Sequence, residues 1–116
     1  MCNAEIICLH GRRASSGVAK GRVLIIESYD DLEKVENGSI IVASQTDINF
    51  APYLKRCAGL ITETGGRFCH AAIFARENGI PCLTGVSDVM DFLNNGDFVE
   101  LNADDSKVTV NSTRSY

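Results

Sequence analysis

Much of what this chain could do is excluded by what it lacks. It has no surplus of positive charge: eleven Lys and Arg face fifteen Asp and Glu, a formal net charge of −4. A chain without a basic patch is a poor match for nucleic acid or an anionic membrane, so neither is expected as a partner. No apolar run approaches the ~20 residues that cross a bilayer. The stretch Met1 to Leu9 is too short, and too interrupted by Asn3 and Glu5, to be a secretory leader, so a cytoplasmic location is expected. The five cysteines (Cys2, Cys8, Cys57, Cys69, Cys82) form no even-numbered disulfide framework. Most sit in apolar runs, where a free thiol behaves as a small hydrophobe, and burial is the expectation for them. No internal repeat or low-complexity linker is present. With only two histidines, imidazole chemistry falls to His10 or His70.

What is present fits one compact domain. A chain of 116 residues supports one core but not two, so residues 1–116 are expected to form a single unit, ordered over about 5–110 with a tail at 111–116. Strands are expected at Glu5–Leu9, Arg22–Glu27, Ser39–Ala43, Gly59–Thr62 and Pro81–Leu83, each a short apolar or β-branched run. Gly11–Gly21 reads as a polar loop. Ser28 can cap a short helix through Val35, with Asp30 and Asp31 in its first turn. Further helical segments are expected at Asn49–Cys57 and Val86–Leu93. Phe98–Leu101 and Lys107–Val110 alternate around Asp104-Asp105-Ser106 and read as a closing hairpin. The fold class is therefore mixed α/β, with β-rich ends around a central strand–glycine–helix unit.

That central unit is the most specific part of the chain. Gly65 and Gly66 follow the fourth strand and leave backbone amides open to a ligand. Helix formers then run from Phe68 to Asn78, until Gly79 and Pro81 stop them. His70 falls in the first turn, where unpaired N–H groups and the positive end of the helix dipole make a seat for an anion. A dipole of that sign favours the neutral imidazole, whose lone pair can accept a phosphoryl group. Phe68, Ala71, Ala72, Ile73, Phe74 and Ala75 are expected to face the core on most sides of this helix. Thr62, Thr64 and Arg67 are the nearby groups able to add hydrogen bonds or charge. The expected site is therefore His70 as the reacting residue, with Thr64, Gly65, Gly66, Arg67 and Cys69 holding phosphate. Adjacent Cys69 and His70 point about 100° apart on a helix and make a poor nucleophilic dyad. Cys57, Cys69, His70 and Cys82 have no short-loop metal spacing, so no metal is expected. Arg76 falls on another side of the helix, where a structural ion pair is expected, and His10 reads as an ordinary surface residue.

The run Thr62-Glu63-Thr64-Gly65-Gly66-Arg67-Phe68-Cys69-His70-Ala71-Ala72-Ile73-Phe74-Ala75-Arg76-Glu77-Asn78-Gly79-Ile80-Pro81 closely resembles the phosphohistidine segment of the phosphoenolpyruvate-utilising enzymes. These include phosphoenolpyruvate synthase, pyruvate phosphate dikinase and enzyme I of the sugar phosphotransferase system; the Cys-His-Ala-Ala-Ile wording looks most like the synthase branch. The Gly17–Gly21 stretch, the Thr46 loop and Asn95-Gly96-Asp97 fit as well, so the resemblance covers nearly the whole chain. It implies a swivelling β/β/α domain whose histidine, here His70, carries phosphate covalently. It also implies partners: a phosphoenolpyruvate-binding barrel and an ATP-grasp nucleotide-binding domain, with magnesium at those sites rather than here. The chain departs from the pattern at Ile48, where the family loop often has proline. It departs again at Phe68, where some relatives carry a threonine whose phosphorylation switches them off. Two other readings of the same fold stand beside the carrier: a non-catalytic interaction or regulatory module, and a swivelling subunit like the small one of aconitase-like dehydratases.

Overall fold

The computed structural model describes residues 6–65 and 69–111. The expectations for Gly66, Arg67 and Phe68, and for the tail beyond Asn111, lie outside the described residues. Eight strands form one sheet: β1 (Ile6–His10), β2 (Arg12–Ser15), β3 (Val18–Ile26), β4 (Ile40–Ala43), β5 (Gly59–Thr62), β6 (Cys82–Thr84), β7 (Phe98–Asn102) and β8 (Lys107–Asn111). Their spatial order is β1-β8-β7-β3-β4-β5-β6-β2. The helices are α1 (Ala51–Leu54), α2 (His70–Asn78) and α3 (Val89–Phe92), with tight 3-10 turns at Tyr29–Lys34 and Ile48–Phe50.

The long strand β3 divides the sheet into two regimes. Its first half pairs antiparallel with β7, from Val18 opposite Asn102 to Arg22 opposite Phe98. Its second half pairs parallel with β4, from Val23 opposite Ile40 to Ile26 opposite Ala43. The parallel run continues through β5 and β6, and β2 closes that side as an antiparallel outer strand. Parallel strands are normally buried on both faces, and the alternation along them shows how this is done. Ile41, Ala43, Leu60 and Cys82 point into one core with Phe50, Leu54, Ala71, Phe74 and Ala75. Ile40, Val42, Ile61 and Leu83 point into a second core with Val99, Leu101, Val108 and Val110. The result is α1 and α2 over one face and the β7–β8 ribbon, with α3 beside it, against the other, a β/β/α layering. Gly59 marks how closely the two β layers approach, since a Cβ there would lie 2.6 Å from Leu101 Cδ2.

Several elements differ from their sequence expectation for identifiable reasons. Gly11–Gly21 is not a loop but β2 and the first half of β3. Arg12 and Arg13 are exposed on an outer strand, where charge is common and hides the strand signal. The segment Val86–Leu93 is helical only over Val89–Phe92, because Asp88 takes a left-handed backbone (φ 60) immediately before it. The capped segment after Ser28 is a 3-10 turn rather than an α-helix. The Asp31 carboxylate accepts the amides of Glu27 (2.9 Å) and Ser28 (3.2 Å) there. These bonds, led by the Glu27 amide and joined by Lys34, hold the Asp31 carboxyl below its ordinary value. Cys8 is exposed rather than buried, whereas Cys57 and Cys82 lie in the α-side core.

Burial has two measurable consequences. Leu60 is fully enclosed between the parallel sheet and its helices, so Leu60→Ala should lower the free energy of urea unfolding by about 2–5 kcal/mol. Desolvation raises the Cys57 thiol to about 12 and pushes Cys82 up further. A thiol kept neutral in the fold ionises first in the unfolded chain. Stability should therefore fall as pH rises above the ordinary thiol value of 9.0. Urea midpoints measured at pH 8 and pH 10.5 check the sign, and Cys57→Ala with Cys82→Ala should flatten the slope.

Candidate functional site

The parallel arrangement of β3, β4, β5 and β6 brings their carboxyl ends to one side of the sheet, the usual place for a site in such folds. Beyond β4 the chain passes through Ser44, Gln45 and Thr46. Beyond β5 it passes through Glu63, Thr64 and Gly65, and then, after the intervening residues, enters α2. The two loops are stitched together. Glu63 donates its amide to Ala43 O (3.1 Å) and Thr64 its amide to Ser44 O (3.0 Å). The Thr64 hydroxyl donates to the same Ser44 carbonyl at 2.9 Å, and the buried Thr62 hydroxyl donates to Thr64 O at 2.7 Å.

His70 is the first helical residue of α2. Cys69 precedes it in an extended conformation as the N-cap and makes no side-chain capping bond; its carbonyl accepts the Ile73 amide. The His70 ring is half-buried, with Nδ1 3.0 Å from the hydroxyl of Thr46, itself buried. Phe74, one helical turn on, stacks on the ring with centroids 5.9 Å apart and planes 29° from parallel. The imidazole is thus held on one nitrogen by a loop and on one face by its own helix. Gly65 takes φ +133, and a Cβ there would lie 2.9 Å from Cys69 Sγ, so both conformation and space call for glycine.

These residues enclose a small cleft of about 160 Å³, lined by Gln45, Thr46, Thr62, Thr64, Gly65, Cys69, His70 and Ala71. That is well under the ~300–1,000 Å³ of pockets for drug-sized ligands, and it suits a group the size of phosphate. The described lining residues include no Asp, Glu, Lys or Arg. Among the described residues, no three His, Cys, Asp or Glu side chains converge on a point that would hold a metal ion. None of the described helices is long and apolar enough to cross a membrane.

The structure brings together Thr64, Gly65, Cys69 and His70 from the expected set. Gly66 and Arg67 fall outside the described residues. The Thr64 hydroxyl is spent on joining the two loops, so its donor faces Ser44 rather than the cleft. Arg76 lies away from the cleft, beside a separate shallow hollow with Arg13, Ser15 and Ser16. Ile73, expected in the core, is 41% exposed. Sequence reasoning missed Thr46 as the partner of His70. The two are 24 residues apart and meet only because β4 and β5 are parallel neighbours. The Phe74 contact was visible as an i, i+4 aromatic pair.

A family model described as the mobile domain of PEP-utilising enzymes matches residues 35–106. The chain is 41% identical over 93 residues to the phosphoenolpyruvate synthase of Deinococcus radiodurans, covering 80% of this chain and 12% of that protein. It is 42% identical over 96 residues to the phosphoenolpyruvate synthase of Pyrococcus furiosus, covering 83% of this chain and again 12% of the relative. The chain thus spans about one eighth of the curated relatives it matches. Among solved structures, an enzyme I fragment studied by NMR superposes with a TM-score of 0.60 at 29% identity, over 69% of this chain and 33% of that one. Aconitase X from Thermococcus kodakaraensis superposes with a TM-score of 0.70 over 90% of this chain and 98% of that one, but at 20% identity, which speaks for the fold alone. A family match over more than half the chain, centred on the strand, glycine and helix that build the cleft, shows that this chain belongs to the mobile-domain family of the PEP-utilising enzymes.

Proposed function

We propose that this chain is a phosphoryl-carrying domain and that Nε2 of His70 is the atom that carries the group. The observation behind this reading is the 3.0 Å contact between His70 Nδ1 and the Thr46 hydroxyl. When Nδ1 bears the proton and donates it to Thr46, the second nitrogen keeps its lone pair in the ring plane, available to an incoming donor. Attack by that lone pair forms an N–P bond while the bond between phosphorus and the donor's leaving oxygen breaks. The leaving group departs with the electron pair. The ring gains positive charge as the bond forms, and Thr46, accepting from Nδ1–H, stabilises it. Transfer onward is the reverse, with a new oxygen nucleophile in the place of the first.

The setting is suited to carriage rather than storage. A helix N-terminus contributes about 0.3–1 kcal/mol to a nearby negative charge, and up to ~2 when partly buried. That favours the phosphorylated form without trapping it. Phosphoenolpyruvate- and nucleotide-binding sites would be supplied by partner domains, in trans or in a longer chain, with magnesium bound there to the donor's phosphates. The role as an inert module has no feature of this cleft in its favour, since a fold kept only for contact needs no hydrogen-bonded imidazole at the helix start.

Incubation with radiolabelled ATP or phosphoenolpyruvate, magnesium and a full-length phosphoenolpyruvate synthase lacking its own carrier histidine should place acid-labile, alkali-stable label on this chain. His70→Ala should take none; label on that variant equal to the parent's would refute the assignment. Thr46→Val keeps shape but removes the acceptor. Loss of a hydrogen bond to a group gaining charge, about 1.5–3 kcal/mol, should slow labelling roughly 10- to 100-fold while the melting midpoint falls by only a few degrees.

A further inference from the structure

Three large apolar side chains stand exposed on the segments that lead to the His70 cleft, two just beyond strands of the parallel block and one on α2. Tyr29 lies beyond β3 and is 56% exposed; Ile48 lies beyond β4 and is 73% exposed; Ile73, one turn after His70, is 41% exposed. A chain of contacts runs from Tyr29 through segment 46–50 to His70. The Tyr29 hydroxyl bonds the Asp47 carboxylate, and its ring meets Phe50 edge-on at 5.9 Å. Asp47 sits between Thr46 and Ile48, caps the 3-10 turn through the Asn49 amide at 2.9 Å, and Thr46 holds His70. Ile73 shares a helix face with His70 at i, i+3. Tyr29 and Ile48 follow the ends of adjacent strands, which run about 4.8 Å apart, and three side chains make a small patch. Half of the large hydrophobic side chains exposed among the described residues lie on these segments, a feature to account for.

We propose that Tyr29, Ile48 and Ile73 form the docking rim for the domain that hands the phosphoryl group to His70, a partner presenting an apolar socket bordered by Lys and Arg. The proposal rests on the carrier reading given above. Two observations choose this occupant. First, the relatives are about eight times longer than the matched segment, so most of the surface available to cover the rim lies outside this chain. Second, the turns that carry Tyr29 and Ile48 also carry the acidic residues Asp30 and Asp47, Asp31 being paired with Lys34, while a site that binds phosphoenolpyruvate or ATP must gather cationic groups around its anionic ligand. Acidic rim and basic mouth are complementary, and apolar anchors inside a charged border are the usual pattern of a specific contact. A patch this small makes a weak interface, which a domain that must leave its donor requires.

The test uses the full-length Deinococcus radiodurans phosphoenolpyruvate synthase with its own carrier histidine replaced by alanine, supplied with ATP and magnesium, as donor to the intact chain. Phosphoramidate, which needs no docking, serves as a second donor. Ile48→Asp and Ile73→Asp should raise the concentration of chain giving half-maximal enzymatic labelling about tenfold or more, with the saturated rate within roughly twofold. Both variants should take label from phosphoramidate as the parent does. Enzymatic labelling of both variants indistinguishable from the parent's would overturn the docking rim. So would a parent labelled by phosphoramidate but not by the enzyme. A parent labelled by neither donor would instead bring down the carrier reading, and the rim with it.

Discussion

The bond between Thr46 and His70 is the constraint on which the site depends. It joins the ends of two parallel strands across the start of a helix, so any shift of β4 against β5 would be felt at the imidazole. Its geometry is protected from both sides. Ser44, two residues before Thr46, gives its carbonyl to both the amide and the hydroxyl of Thr64, so the two loops move as one. Phe74 closes one face of the ring and leaves little freedom for it to rotate. A hydrogen bond of this kind contributes only about 1 kcal/mol to folding. Its importance is directional: it fixes which ring nitrogen is engaged by Thr46 and which is left for other partners.

Such precision at one rim requires a stiff platform beneath it. The parallel strands are four residues or fewer in their shared block, yet they are buried on both faces, with Ile41 and Leu60 toward the helices and Ile40 and Ile61 toward the β7–β8 ribbon. Helix α2 lies close to this block because its inner face is small. Ala71, Ala72 and Ala75 let the helix approach, and the Ser15 hydroxyl, 3.4 Å from Ala75 O, links it to the outer strand β2. Only Phe74 is bulky on that face, and it is the residue that reaches back under the histidine. One helix therefore packs the core with three alanines and orients the site with one aromatic ring.

The parts of this design that could be read from sequence are those governed by local rules. Strands β4 and β5 were legible because continuous β-branched and apolar runs of that length admit few other uses. The start of α2 was legible from its glycines and its end from Gly79 and Pro81, and His70 followed from position alone. What escaped was non-local. Thr46 is an unremarkable threonine until strand order places it beside α2. The outer strand β2 reads as a polar loop because its pairing with β6, not its composition, makes it a strand. Ile73 looked like core by hydrophobicity, and only the orientation of α2 on the sheet shows that it faces outward.

The outward turn of Ile73 connects packing to the chemistry proposed here. On a helix of nine residues, burying Ala71, Ala72, Phe74 and Ala75 fixes the rotation completely, and Ile73 must then share the exposed flank with His70. Rotating α2 to bury Ile73 would turn the imidazole away from Thr46 and place Phe74 in water. The alanine-rich face thus selects a geometry in which a reactive side chain and an apolar one emerge together. A carrier of the kind proposed would benefit from that arrangement, because the group to be reached and the surface to be recognised would be held at fixed spacing by the same rigid turn. The imidazole and Ile73 cannot drift apart without unpacking the core.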